Sequence, residues 1–282
     1  MNRVAFIAAK DDPYSKFDFA LERSRREEIG VFTVDACDCG GINQVFTVVQ
    51  ALGMVNRPQW KLELCVSHNK LKYLPEPVWY LSNLEELRID TNDLKIIPPD
   101  IAKLTKLKKL WIHNNPLEGF PEGVCRLEQL DSLYAWSCQL SALPVTFASM
   151  HHLLVLDFRN NPFEEFPEVI CECKNLRYLQ MSENKLSSLP PSFAKLRELQ
   201  AFQVGNNCFK EFPRVLCELS KLEQLWMNGN EMSELPLTIT KLVNLRDLDV
   251  GRNKFTRFPL ILGDMAQLLR LITSGRLLLH SS

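Results

Sequence analysis

The sequence predicts an α/β solenoid, a stack of thin layers in which each layer contributes one short strand to a parallel sheet and one return segment. Three observations predict it. Asn69, Asn92, Asn115, Asn161, Asn184, Asn207, Asn230 and Asn253 fall on one register with a spacing of 23, and Cys138 fills the single gap. Around each lies the pattern L-x-x-L-x-L-x-x-N-x-L-x-x-L-P, as in Leu176, Leu179, Met181, Asn184, Leu186, Leu189 and Pro190. The composition is that of a soluble globular chain, 46% hydrophobic and 24% charged, with 33 Lys and Arg against 34 Asp and Glu. That balance excludes intrinsic disorder and the basic footprint of a general nucleic-acid or anionic-membrane binder.

The elements follow in chain order. Residues 1–59 precede the repeats and are expected to form an N-terminal cap or a small appended α/β subdomain. Phe17–Ile29 reads as a helix, while the β-branched stretches Val31–Ala36 and Val45–Val49 read as strands separated by a turn at Cys39-Gly40-Gly41. The array is expected to run over 60–272 as about nine repeats of 23. In each repeat the L-x-L core alternates with period two, which makes a short strand with the leucine-type residues inward. The Asn then sits where the chain leaves the sheet, and its amide can satisfy backbone groups that a buried turn would leave unpaired. Cys138 offers only a weak donor there, so its rung is expected to be looser. The Pro after each L-x-x-L fixes φ and removes a donor, which suits a 3₁₀ or irregular return. No repeat can bury its filling alone, so stability must come from its neighbours. Residues 273–282 form a poorly defined tail. The run Leu277–Leu279 either covers the last layer or belongs to a chain that continues, and the second is the expectation.

This pattern resembles the leucine-rich repeat family, specifically the intracellular 23-residue type of Ras-pathway scaffolds and Scribble-like adaptors. The resemblance covers roughly residues 60–272. It implies a horseshoe with the parallel sheet on its concave face and 3₁₀ or short helical returns on its convex face. It also implies protein partners, such as a small GTPase, a phosphatase subunit or a kinase component.

A second period overlies the first. Asn114-Asn115, Asn160-Asn161 and Asn206-Asn207 recur every 46 residues, each leading to Phe-Pro and then a Cys: Cys125, Cys171 and Cys217. Duplication of a two-repeat unit and alternation of large and small side chains between layers both account for it.

Chemistry is sparse. No phosphate loop, nucleophile elbow, zincin helix or EF-hand loop is present. Cys37-x-Cys39 and Cys171-x-Cys173 lack the spacing of a zinc or redox half-site. His151-His152 diverge too readily to chelate, and Lys103, Lys106, Lys108 and Lys109 form the one basic cluster. No enzyme activity, cofactor or metal is expected. The apolar run Val4–Ala9 is too short for a signal-peptide core, no stretch reaches the length of a membrane span, and no Asn begins an N-x-Ser/Thr sequence. With nine Cys, the expected setting is a reducing cytoplasm with free thiols.

The informative positions are those pointing away from the leucine core. One row reads Cys65, Arg88, Trp111, Tyr134, Asp157, Gln180, Gln203, Trp226 and Asp249. The next reads Ser67, Asp90, His113, Trp136, Arg159, Ser182, Gly205, Asn228 and Gly251. Exposed aromatics bordered by Arg make binding hot spots. Arg88, Trp111, His113, Tyr134, Trp136 and Arg159, with Tyr178 and Trp226, are therefore the expected partner-binding residues. The surface is mixed in sign, which fits a protein or peptide better than nucleic acid. The leading expectation is a cytosolic adaptor or scaffold in signalling. The alternative is the recognition arm of a larger ubiquitin-ligase, GTPase-domain or death-domain protein.

Overall fold

The computed structural model describes residues 2–7, 29–38, 41–55 and 61–273. The chain divides into two compact units, Met1–Cys138 and Gln139–Ser282. The expected helix over Phe17–Ile29 (apart from Ile29), the turn residues Cys39 and Gly40, and the run Leu277–Leu279 lie outside the described residues.

In the first unit the strands are β1 (Asn2–Ile7), β2 (Ile29–Asp35), β3 (Lys61–Cys65), β4 (Leu84–Arg88), β5 (Lys109–Trp111) and β6 (Ser132–Tyr134). They pair in parallel and in sequence order, so that Val34, Leu64, Leu87, Leu110 and Leu133 stand side by side in one buried row. The first two strands thus extend the parallel ladder ahead of the repeats. The second unit repeats the arrangement with β7 (Val155–Asp157), β8 (Tyr178–Gln180), β9 (Ala201–Gln203), β10 (Gln224–Trp226), β11 (Asp247–Asp249) and β12 (Arg270–Ile272). Its inner row is Leu156, Leu179, Phe202, Leu225, Leu248 and Leu271. The last member is the exception: Leu271 is 37% exposed, because no described layer follows it.

The expected strand over Val45–Val49 is instead part of a helix, α1 (Ile42–Val55). The reason is spacing. Val45, Val48, Val49 and Leu52 recur at i, i+3, i+4 and i+7 and are all buried, while Phe46 between them is exposed. One buried helical stripe packed beside the first return outweighs the weak strand preference of β-branched residues.

Each return is a five-residue 3₁₀ turn capped by a Pro, with φ between −64° and −72° at all nine described caps. The Pro carbonyl accepts the first turn bond from the residue three positions on, as Phe193 N does to Pro190 O at 3.0 Å. The Pro needs no amide of its own there, so its ring is accommodated without loss.

The Asn ladder is what closes each layer. Asn184 Nδ2 donates to the carbonyls of Phe158, Met181 and Ser182 at 3.0–3.2 Å, and its Oδ1 accepts from Phe163 N at 3.2 Å. Asn92, Asn115, Asn207 and Asn253 repeat all four contacts at their own levels. At the Cys138 rung the scheme breaks. Cys138 Sγ reaches the carbonyls of Ile112 and Trp136 at 3.3 and 3.4 Å, but it offers no amide oxygen. Leu117 N, whose counterparts from Leu71 to Met232 each bond an Asn Oδ1, donates instead to Asn115 O at 2.9 Å. The looser rung is thus a specific substitution of one hydrogen bond for another.

The residue before each ladder position is left-handed: His68, Thr91, Asn114, Ser137, Asn160, Glu183, Asn206, Gly229 and Arg252 all have φ between 52° and 70°. Asn and Gly adopt this region at least strain, which gives the Asn-Asn pairs a conformational reason beyond duplication. At Gly229 a side chain would also run into Asn206, whose Oδ1 lies 2.1 Å from where a Cβ would sit.

Asn184→Ala is expected to lower stability by about 3 kcal/mol, since several buried backbone groups lose their partner at once. Cys138→Asn, which restores the missing acceptor for Leu117 N, is expected to raise it by about 1 kcal/mol. Urea denaturation of the full chain checks both.

Candidate protein-binding face

In the first unit the sheet has one side filled by leucines and one side open. Strand alternation places Asp35, Cys65, Arg88, Trp111 and Tyr134 in one row on the open side, each in register with the next. Two residues on in each repeat come Cys37, Ser67, Asp90, His113 and Trp136. The register of 23 brings like positions to one strand spacing, so aromatic rings on β5 and β6 have to stack. The Trp111 and Tyr134 rings lie 5.0 Å apart and 7° from parallel, and His113 and Trp136 lie 3.4 Å apart at 17°. Tyr134 meets Trp136 edge-on at 6.3 Å, and the Arg88 guanidinium sits 4.4 Å over the Trp111 ring. Each such contact is worth about 0.5–1.5 kcal/mol beyond burial. Trp111, Tyr134 and Trp136 remain half-buried and Arg88 exposed, so the outer faces of the stack are open to solvent.

His113 has a different place from the one sequence spacing suggests. It is buried beneath Trp136, and its Nε2 lies 3.3 Å from Asp90 Oδ2. Ser67 Oγ donates to Asp90 Oδ1 at 2.7 Å. Ser, Asp and His therefore stand in a row, but with the carboxylate in the middle. The hydroxyl proton is held by the carboxylate and not by the imidazole, so the row braces β3, β4 and β5 and does not activate a nucleophile.

The basic cluster on this unit is largely neutralised. Lys103 pairs with Asp100 at 2.6 Å, Lys108 with Glu85 at 3.0 Å and Lys109 with Glu86 at 2.6 Å. The last two pairs span 23 residues, one repeat to the next. The expectation of free thiols needs one correction: Cys37 and Cys65 are joined as a disulfide, with Cα atoms 6.0 Å apart. The bond forms because Cys37 follows the end of β2 and Cys65 ends β3, which are neighbouring strands. Cys125, Cys138, Cys171, Cys173 and Cys217 are buried thiols and Cys208 is an exposed one, none of them in a disulfide. Burial pushes the Cys138 thiol up to about 12 and the Cys171 thiol to about 11, which leaves them unreactive.

The second unit carries Arg159, Tyr178 and Trp226 on its own open side. They are not gathered there. Tyr178 stands in register between Val155 and Ala201, and Trp226 between Gln203 and Asp249. The middle of this face is polar: Gln180 donates to Gln203 Oε1, and Gly205 N donates to Ser182 Oγ. Arg159 turns to Asp157, with Nη2 3.3 Å from Oδ2, while Arg159 N donates to Oδ1 at 3.1 Å. Asp157 is 4% exposed, and burial raises its carboxyl to about 6 against the opposing pull of Arg159. Sequence alternation marks Asp157 as outward; nothing in it shows that the position is covered.

Residues 129–232 match the family model of a leucine-rich repeat region. No curated protein matches the chain significantly. Among solved structures, a leucine-rich repeat protein of Leptospira interrogans aligns at TM-score 0.78 and 23% identity, over 97% of this chain and 66% of that one. An internalin of Listeria monocytogenes aligns at TM-score 0.76 and 16% identity, over 96% of this chain and 81% of that one. The Arabidopsis receptor kinase HAESA, in complex with the peptide hormone IDA and the co-receptor SERK1, aligns at 0.62 and 24% identity, over 74% and 36%. The fold of the described residues is that of leucine-rich repeat solenoids, and residues 129–232 also carry the family's sequence pattern. The chain spans just under two thirds of the Leptospira protein and little more than a third of the plant receptor.

Asp157 supplies a pH signature. Its folded-state value lies above the unfolded one, so the folded chain holds this proton longer, and stability falls as pH rises from about 4 to about 6. Asp157→Asn is expected to stabilise the chain by about 2–3 kcal/mol at pH 7, with the gain vanishing near pH 4. Denaturation midpoints at the two pH values check it.

Proposed function

We propose that the chain is a non-enzymatic protein-binding module that takes a folded or peptide partner on the open sheet face of its first unit. One observation carries this reading: Arg88, Trp111, Tyr134 and Trp136 form a contiguous, partly exposed stack on three successive strands, on the side of the sheet that the leucine core does not need. Repeat solenoids of this kind present such surfaces to partners, and aromatic and Arg side chains dominate binding energy where they cluster. The HAESA structure holds a peptide hormone and a co-receptor, an instance of the same fold taking protein ligands. Within this reading the partner is a signalling component, such as a small GTPase, phosphatase or kinase, and the chain serves as a cytoplasmic adaptor or scaffold. The six thiols outside any disulfide among the described residues and the lack of N-glycosylation sequences favour that compartment. A second reading makes the chain the recognition arm of a longer protein, for which the greater length of the Leptospira and plant neighbours is the motive.

Affinity capture from the native source, using the chain and its Trp111→Ala, Trp136→Ala double variant, tests the proposal. The stacked rings also stabilise the sheet, so circular dichroism must first show the variant folded. The partner is expected to bind the variant at least about 30-fold more weakly, the loss of about 2 kcal/mol typical of a hot spot. Recovery of the same proteins in the same amounts by the folded variant would refute it.

A further inference from the structure

Beside the aromatic stack, the open face carries a cluster that neither core packing nor partner binding requires. Asp35 ends β2, Cys65 ends β3 in direct register with it, and Cys37 follows Asp35 by two residues. One ligand atom from each of the three lies within 4.8 Å of the other two, and all three residues are partly exposed. The backbone that carries them is tied down at each point: Ala36 N donates to Cys65 O at 2.8 Å, Asp38 N to Ser67 O at 3.3 Å, and Cys37 N to Asp35 Oδ1 at 3.0 Å. A hollow of about 180 Å³ adjoins the cluster, lined by Thr33, Asp35, Glu63, Leu64, Cys65, Glu86 and Arg88.

We propose that the reduced form of this cluster is a binding site for a soft divalent cation, zinc by chemistry, held by Cys37 Sγ, Cys65 Sγ and an Asp35 carboxylate oxygen. Two thiolates select such an ion over magnesium or calcium. Thiols released from the disulfide move apart, and sulfurs bound to one tetrahedral zinc stand about 3.8 Å from each other, given Zn–S bonds of about 2.3 Å. The 6.0 Å Cα separation accommodates that without moving the strands. Three protein ligands leave one position for water or for a donor from outside the chain, the arrangement of zinc sites that remain open. The steps balance. A dithiol closes its own disulfide and passes two electrons and two protons to the Cys37–Cys65 bond, giving two thiols. The cation then displaces both thiol protons to solvent and is bound by two thiolates and one carboxylate. In a reducing compartment the dithiol state prevails, so the two states of the cluster report the compartment.

The experiment uses the full chain with Cys39 and Cys208 replaced by Ser, reduced and then freed of reductant without air, and titrated with Co²⁺ as a spectroscopic stand-in for zinc. One cobalt per chain is expected, with a thiolate-to-cobalt charge-transfer band and the visible bands of a tetrahedral ion. Cys65→Ser and Cys37→Ser are expected to abolish the charge-transfer pattern of two thiolates. Asp35→Asn is expected to keep both thiolates and weaken binding at least about tenfold, the least that loss of a direct ligand should produce when loss of a supporting contact already does so. A second readout needs no variant: zinc is expected to protect Cys37 and Cys65 from alkylation in the reduced chain, scored by peptide mass spectrometry. Absence of a stoichiometric cobalt spectrum, its persistence in folded Cys65→Ser, or equal alkylation with and without zinc would each overturn the proposal. None of these readouts depends on a protein partner, so they fail or succeed separately from the binding reading.

Discussion

The hydrogen bonds of the Asn ladder are the constraint on which the rest of the structure depends. A chain that turns out of a sheet every 23 residues leaves carbonyl and amide groups inside the stack, where no water reaches them. Each would cost about 1–3 kcal/mol unpaired. One primary amide at one position supplies donors to three carbonyls, including one from the previous repeat, and an acceptor for an amide of that repeat, as Asn184 does for Phe158, Met181, Ser182 and Phe163. The contact is both within and between layers, so it fixes the pitch of the stack. The pitch in turn sets the strand register and places Glu and Lys residues opposite one another at intervals of 23, as in Lys195 with Glu172 and Lys221 with Glu198. Exposed pairs of this kind contribute about 0–1 kcal/mol each.

With the core filled from one side, the open side is released from packing duty. Positions there are free to be polar, as in the Gln180 and Gln203 pair, or aromatic, as in Trp111 and Tyr134. The same pitch that pairs Lys with Glu stacks ring on ring, so a partly exposed aromatic surface arises without new backbone. The row of Ser67, Asp90 and His113 shows the limit of that freedom. Once Trp136 covers His113, the polar groups beside it are Ser67 and Asp90, joined with the carboxylate between hydroxyl and imidazole, an order that holds neighbouring strands together.

The repeat made most of this legible in the sequence, because its period ties residues distant in the chain to a common place in space. The strands, the Pro-capped 3₁₀ returns, the ladder and the weak rung at Cys138 all follow from the register. What stayed hidden falls where the register does not reach. The helix α1 precedes the repeats, and four valine and leucine positions at helical spacing were masked by the strand preference of their neighbours. The left-handed residue before each ladder position has no fixed identity, ranging over His, Thr, Asn, Ser, Glu, Gly and Arg, so no recurring residue type announces it. The Cys37–Cys65 bond joins one cysteine inside the period to one outside it. The burial of Asp157 depends on what covers it, which alternation along a strand does not encode.

The periodic fold also offers a way to separate structural residues from the rest. Inward positions are set by the leucine rows, turn positions by the ladder, and the residue before it by backbone conformation. After these are subtracted, the outward rows carry the remaining information, and they are not uniform. In the first unit one row passes from Asp35 and Cys65 through Arg88 to Trp111 and Tyr134, so a ligand-type cluster, a cation and an aromatic stack occupy consecutive strands of one face. Packing does not ask for any of them: the inner sides of the same strands are already filled by Val34, Leu64, Leu87, Leu110 and Leu133, each 1% exposed or less. A half-buried Trp on the open side of a strand whose core is complete gains little for folding that a smaller residue would not, apart from the stacking contacts it makes with its equally unneeded neighbours. Side chains that stabilise chiefly one another, on the open side of a finished sheet, are the ground on which a partner for this face is proposed.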